Sequence, residues 1–373
     1  MRRTRIPVHK FMVILLALAW LVPHPGAAAE PSVEDMAGAM IMVGFHGTSA
    51  PQSVIDAVAA GHLGGVILFD GSPAKGEYNI QSPEQVRSLV ASLQKAAPRT
   101  LLVAVDQEGG KVRRLKPERG FLPLPSAEKM GGMKLEEVRE LGFQTGREMA
   151  SLGINVNLAP VVDLRRAKDS PGLGNAGRLF GSGSTAVTQY ALAFADGLYR
   201  AGVLPALKHF PGLGSAGRDS HHELPDVTES WDMQELLPYM EAFRRGWPGM
   251  VLVGHAYHQK LDGRLPSSLS PVVVEEFLRR RLGWDGVVIS DDLQMGAVAK
   301  NRSLEERVRL ALLAGNDILL FGNNLSYDPL LHEKVFQAVM ALVNEGAVSP
   351  QRLKTSWTRI EKMKRNLAES RGK

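Results

Sequence analysis

Leu101-Leu102-Val103-Ala104-Val105-Asp106 is a short aliphatic run that stops on a carboxylate, and Gln107-Glu108 follow at once. A continuous apolar run of this length, bounded by polar or glycine-rich chain, reads as a strand covered on both faces. Seven further runs have the same design, at residues 40–44, 65–69, 154–158, 203–208, 250–254, 286–290 and 317–321. Longer amphipathic stretches separate them, which predicts parallel strands joined by helices. Eight strands about 40 residues apart fit an α/β fold of the (β/α)8 TIM-barrel type, built as a single domain. A doubly wound open sheet would carry a glycine-rich phosphate turn after its first strand. Gly44-Phe45-His46-Gly47-Thr48 has neither that spacing nor a helix directly behind it.

The chain has 373 residues and no cysteine. It is long enough to bury a full core. The missing cysteine excludes disulfides, thiolate metal ligands, a cysteine nucleophile and a lipid anchor through cysteine. The formal charge is +5, but Arg2, Arg3, Arg5 and Lys10 supply +4 of it and leave 40 basic against 39 acidic residues downstream. That balance offers no bulk-charge argument for nucleic acid. The basic head, the apolar run from Phe11 to Val22 and the Ala27–Ala29 site make residues 1–29 a secretory signal peptide in this reading. Residues 30–373 then form the catalytic domain, exported to the periplasm or beyond, with a C-terminal helix at about 349–370. An uncleaved leader would act as a membrane anchor; a cleaved one leaves no membrane span. Trp357, Ile360 and Leu367 are the expected inward positions of the last helix.

Barrel enzymes carry their working groups at the C-terminal strand ends. There the sequence places Asp106-Gln107-Glu108, Asp163, Lys208-His209, His255 and Asp291-Asp292. A carboxylate such as Asp291 facing a proton donor is what glycoside cleavage requires, since one group meets the oxocarbenium-like carbon while the other protonates the leaving oxygen. The segment 208–221 offers the donor: Asp219 and His221, two apart, can form a carboxylate–imidazole dyad. A metal site or a charged surface turn is the competing reading of the same residues. His209, His221, His222 and Glu223 are close in sequence, yet the first strand leads only to a lone His46, and no His-Glu-x-x-His helix is present. We therefore expect no metal and no cofactor.

Six ordered segments resemble glycoside hydrolase family 3, most closely its single-domain bacterial β-N-acetylhexosaminidases. They are Gly64–Phe69, Val105–Gly110, Asn157–Asp163, Gly177–Gly181, Lys208–His221 and Ser290–Met295. The resemblance implies that Asp291 is the nucleophile of a retaining mechanism and that His221 is the general acid/base, with Asp219 as its partner. It also implies that Asp106, Arg178, Lys208 and His209 hold the hydroxyl groups of the terminal sugar. Two-domain members draw a Glu acid/base from a second domain. Only about 50 residues follow the eighth strand here, so the acid is expected from the barrel itself.

The implied activity is exo-acting removal of N-acetylglucosamine from peptidoglycan fragments or chitooligosaccharides by a monomer, with a small oligosaccharide or muropeptide as the only partner. A β-glucosidase or a phosphorylase of the same family, and a silent cell-wall sugar-binding protein, are the alternatives. Leu213, Ser215 and Lys111 depart from the family pattern, where His, Asp and Arg are common. These departures bear on leaving-group preference, because Lys lacks the planar fork of Arg.

Overall fold

The computed structural model describes residues 30–71, 78–166, 173, 176–216, 220 and 223–371. The unit Ser32–Lys373 contains eight parallel strands. These are β1 (Ile41–Gly44), β2 (Gly65–Ile67), β3 (Leu102–Val105), β4 (Val156–Asn157), β5 (Leu204–Phe210), β6 (Met250–Val253), β7 (Val288–Ser290) and β8 (Leu319–Phe321). Neighbours in sequence are neighbours in space, and β8 pairs with β1. A parallel bridge from Ile289 to Ile318 links β7 to β8, reinforced by the Ser290 N–H donating to the Ile318 carbonyl at 3.0 Å. The ring is thus nearly closed, as the sequence led us to expect.

Each strand is shorter than its aliphatic run except β5, which runs two residues further. Side chains replace the ladder where the strands stop. Asn155 accepts from the Val103 N–H at 2.8 Å and donates to the Leu101 carbonyl at 2.8 Å. Asp317 accepts from the Val288 N–H at 2.9 Å. These buried polar groups satisfy backbone donors that a continued strand would otherwise have paired. Strand β5 continues because Phe210 still pairs with Val253 past an irregularity after Leu207.

Helices follow the strands in the expected alternation, among them Gln52–Ala59, Pro83–Ala96, Leu135–Ser151, Ser184–Arg200 and Leu304–Ala314. They close the outer layer of one continuous core, in which Val103, Leu204, Val251, Ile289 and Leu319 are all within 1% of full burial. Each such side chain stabilises the fold by about 1.5–3 kcal/mol relative to exposure. The last helix, Pro350–Arg371, lays Ile360 and Leu367 into that core, and Trp357 packs against it with the Arg99 guanidinium 4.7 Å above its ring. Among the described residues, no helix is long and apolar enough to cross a membrane.

Candidate active site

The C-terminal ends of the strands open on a cleft of about 970 Å³, counting its solvent-open mouth. Asp106 from the end of β3, Lys208 and His209 from β5, Asp291 from the end of β7, and Arg178 from the long connection after β4 all line it. Five of the seven expected site residues therefore share one cavity. Asp219 and His221, the expected dyad, lie outside the described residues.

At the floor is a four-membered charge network. Lys208 Nζ lies 2.8 Å from Asp106 Oδ1 and 2.6 Å from Glu108 Oε1. Arg178 grips Glu108 with both arms, Nε to Oε2 at 2.7 Å and Nη2 to Oε1 at 2.8 Å. Planar two-point pairing of this kind is what Arg supplies and Lys does not. Burial pushes the Glu108 carboxyl up, but Arg178 and Lys208 outweigh it and hold the group far below the usual range. Burial likewise opposes the charges of Asp106 and Lys208, and the pairing prevails, so Asp106 stays low and Lys208 high. All four groups remain charged at neutral pH.

Sequence reasoning placed Glu108 near the chemistry without giving it a role. Its place depends on Arg178, 70 positions away. Arg114 was missed altogether. It lines the cleft and reaches both Asp106 and Asp70, each at 3.5 Å. The signal was the folded-back turn that carries it: Gln107 Oε1 accepts from the N–H groups of Arg114 at 2.9 Å and Leu115 at 3.0 Å.

His209 is fixed from behind. Its Nδ1 lies 2.6 Å from Asp163 Oδ2, and the same carboxylate accepts from the N–H groups of His209 and Leu213. Asp163 is fully buried and ties β5 and the start of its loop to the chain after β4.

The two neighbouring carboxylates at the end of β7 are distinct. Asp292 Oδ1 accepts from the N–H groups of Gln294 and Gly322, both at 2.9 Å, which commits it to capping the turn and the end of β8. Asp291 accepts from the Asp292 N–H at 2.9 Å and its own N–H is anchored on Val253 of β6. His255 braces this segment: Nε2 lies 2.8 Å from the Asp292 carbonyl and Nδ1 2.6 Å from Ser268 Oγ. A carbonyl only accepts, so Nε2 carries a proton and donates to it, while Nδ1 and the Ser268 hydroxyl share a second hydrogen bond.

Residues 32–363 match the glycosyl hydrolase family 3 N terminal domain. The chain belongs to glycoside hydrolase family 3. It is 35% identical over 268 residues to a β-hexosaminidase of Tolumonas auensis, covering 70% of this chain and 76% of that one. It is also 35% identical over 344 residues to the β-hexosaminidase LpqI of Mycobacterium tuberculosis, covering 86% of this chain and 82% of that one. The structure of a family 3 β-N-acetylglucosaminidase from Paenibacillus sp. str. FPU-7 superposes with a TM-score of 0.83 at 32% identity, covering 90% of this chain. This chain spans 63% of that protein's length.

Proposed function

We propose that this family 3 chain is an exported, exo-acting, retaining β-N-acetylglucosaminidase that removes terminal N-acetylglucosamine from peptidoglycan fragments or chitooligosaccharides. The observation that carries the reading is the pairing, in one cleft, of the Asp291 carboxylate with the Asp106–Lys208–Glu108–Arg178 network. A ring of fixed donors and acceptors suits the hydroxyl groups of one pyranose. Lys208 has three N–H donors, of which two meet carboxylates, leaving one for substrate. The relatives named β-hexosaminidase support the choice of sugar, and the leader at residues 1–29 supports export.

In the first step, an Asp291 oxygen bonds to the anomeric carbon while the bond to the leaving oxygen breaks, and His221 gives that oxygen its proton. In the second, His221 takes a proton from water as the water oxygen displaces Asp291. Two inversions retain the β configuration. Asp219 orients His221 and supports its cationic form. Asp291 lines the cleft from the end of β7, and Asp292 beside it is tied through Oδ1 to the N–H groups of Gln294 and Gly322.

The test is hydrolysis of 4-nitrophenyl N-acetyl-β-D-glucosaminide beside the glucoside, by wild type and Asp291→Ala, with and without inorganic phosphate. The reading requires turnover of the glucosaminide that phosphate does not accelerate and that Asp291→Ala abolishes. Preference for the glucoside, or dependence on phosphate, contradicts it.

A further inference from the structure

One buried carboxyl outside the cleft has no part in the chemistry above. Glu235 lies on the short helical turn Met233–Leu236 and is 1% exposed, while Met233 beside it is 63% exposed. Leu237 and Met240 on the next helix are exposed as well. The element buries its acid beside Leu236 while leaving Met233 outside, which hydrophobic patterning does not favour for a carboxyl. Burying a carboxyl is costly without compensation, so its surroundings are informative.

Those surroundings are the first residues of the β5 loop. Glu235 Oε2 accepts from the Gly214 N–H at 3.3 Å, and Oε1 has no hydrogen-bond partner among the described residues. Gly212 adopts φ +134°, and a Cβ there would lie 2.4 Å from Glu235 Oε2. At Gly214 a Cβ would lie 1.7 Å from the Leu164 carbonyl oxygen. Only glycine fits both places. The backbone at 212–214 is therefore clasped between Glu235 and the chain after β4, and Asp163 holds the Leu213 N–H at 2.8 Å. The next few residues in sequence lead to Asp219 and His221.

We propose that Glu235 is a positioning residue for the reaction, acting through the Gly212–Ser215 backbone that leads into Asp219 and His221. This rests on the reading of His221 as the acid/base. The groups facing the carboxyl are Asp163 and Arg166 from the chain after β4, the Ser215 hydroxyl of the loop, and Tyr239 from the following helix. Arg166 also lies 3.8 Å from Asp232. Burial, with Asp163 adding to it, raises the Glu235 carboxyl to about 8, against the opposing pull of the Gly214 N–H, Arg166 and Ser215. At neutral pH the clasp is uncharged. Ionisation sets a second negative charge against Asp163, so the two acids that hold the segment between them repel one another, while the Gly214 N–H and Arg166 are drawn closer to Glu235.

The experiment measures kcat/KM for aryl N-acetyl-β-D-glucosaminides whose leaving groups range from 2,4-dinitrophenol to poorly acidic phenols, in wild type, Glu235→Ala, Glu235→Gln and His221→Ala. Since kcat/KM reports the step in which the acid assists, Glu235→Ala is expected to lose on the order of 10²-fold on poor leaving groups and little on dinitrophenol. Glu235→Gln keeps the acceptor for Gly214 without an ionisable proton. It is expected to match wild type at pH 7 and to shift the alkaline limb to higher pH. An equal loss across leaving groups in Glu235→Ala beside a leaving-group-dependent loss in His221→Ala overturns the Glu235 role alone. If His221→Ala shows no such dependence, the acid/base reading falls and the role of Glu235 falls with it. Should Glu235→Ala not fold, an alkaline limb in Glu235→Gln superimposable on that of wild type overturns the proposal.

Discussion

Lys208 Nζ lies 2.6 Å from Glu108 Oε1, and each of the two side chains is only 3% exposed. Neither charge can be removed singly at low cost. Breaking a buried pair from one side leaves the other ion without compensation, which costs about 3–5 kcal/mol. Glu108→Ala also frees Arg178 from its planar grip, so we expect both a fall in unfolding free energy of that order and loss of sugar binding. Chemical denaturation with a parallel inhibitor titration checks it. A variant of unchanged stability and affinity would show that the network is dispensable.

The eight strands were legible because parallel barrel strands are covered on both faces and so become continuous aliphatic runs. Their ends were not, since Asn155 and Asp317 take over backbone donors through side chains and stop the ladder early. Single site residues such as Asp106, Lys208 and Asp291 could be read from strand-end position alone. Glu108 needed its remote partner Arg178. Glu235 gave no signal, because among Met233, Leu236 and Leu237 a glutamate reads as the solvent-facing residue, whereas the fold buries it beside Leu236 and exposes Met233 and Leu237.

Glu235 predicts a pH signature in stability. Its carboxyl is raised in the native state to about 8, so the native protein holds a proton that the unfolded chain releases near its ordinary value of about 4.3. The associated stabilisation is complete below that value and is lost as pH rises towards 8. Glu108, held low by Arg178 and Lys208 against its burial, contributes with the opposite sign and is lost only as the solution becomes acidic. Measured from pH 5 to 9, the unfolding free energy of wild type should fall relative to that of Glu235→Gln as pH rises to about 8. A constant difference contradicts the buried neutral carboxyl.

His255 braces the main chain that bears Asp291, through the Asp292 carbonyl at 2.8 Å. His255→Ala should lower kcat more than it raises KM, because the Asp106–Lys208–Glu108–Arg178 network proposed to hold the sugar is untouched. A loss of about tenfold corresponds to roughly 1.4 kcal/mol, the size of one hydrogen bond to a neutral group. Steady-state kinetics with the 4-nitrophenyl glycoside decides it; a change confined to KM argues against a brace on the nucleophile.

At the opposite end of the barrel, Asp317 is fully buried and accepts from Arg279 Nη2 at 2.7 Å, from Ser356 Oγ at 2.5 Å and from Arg359 Nη1 at 3.4 Å. It ties the Val272–Arg281 helix and the C-terminal helix to the start of β8. Asp317→Ala leaves the buried Arg279 with only the longer Glu275 carboxylate contact at 3.4 Å, leaves the Ser356 hydroxyl and Arg359 without this acceptor, and should cost about 3–5 kcal/mol. Calorimetry should show a large fall in Tm while KM is unchanged at assay temperature. A shifted KM would mean that the two ends of the barrel are coupled.

The central claim is that Asp291, and not its neighbour Asp292, meets the anomeric carbon. A 5-fluoro-N-acetylglucosaminyl fluoride, which forms the glycosyl-enzyme faster than it is released, followed by proteolysis and fragmentation mass spectrometry, locates the ester directly. The account predicts one sugar added, on Asp291. A label on Asp292 or on any other carboxylate contradicts it.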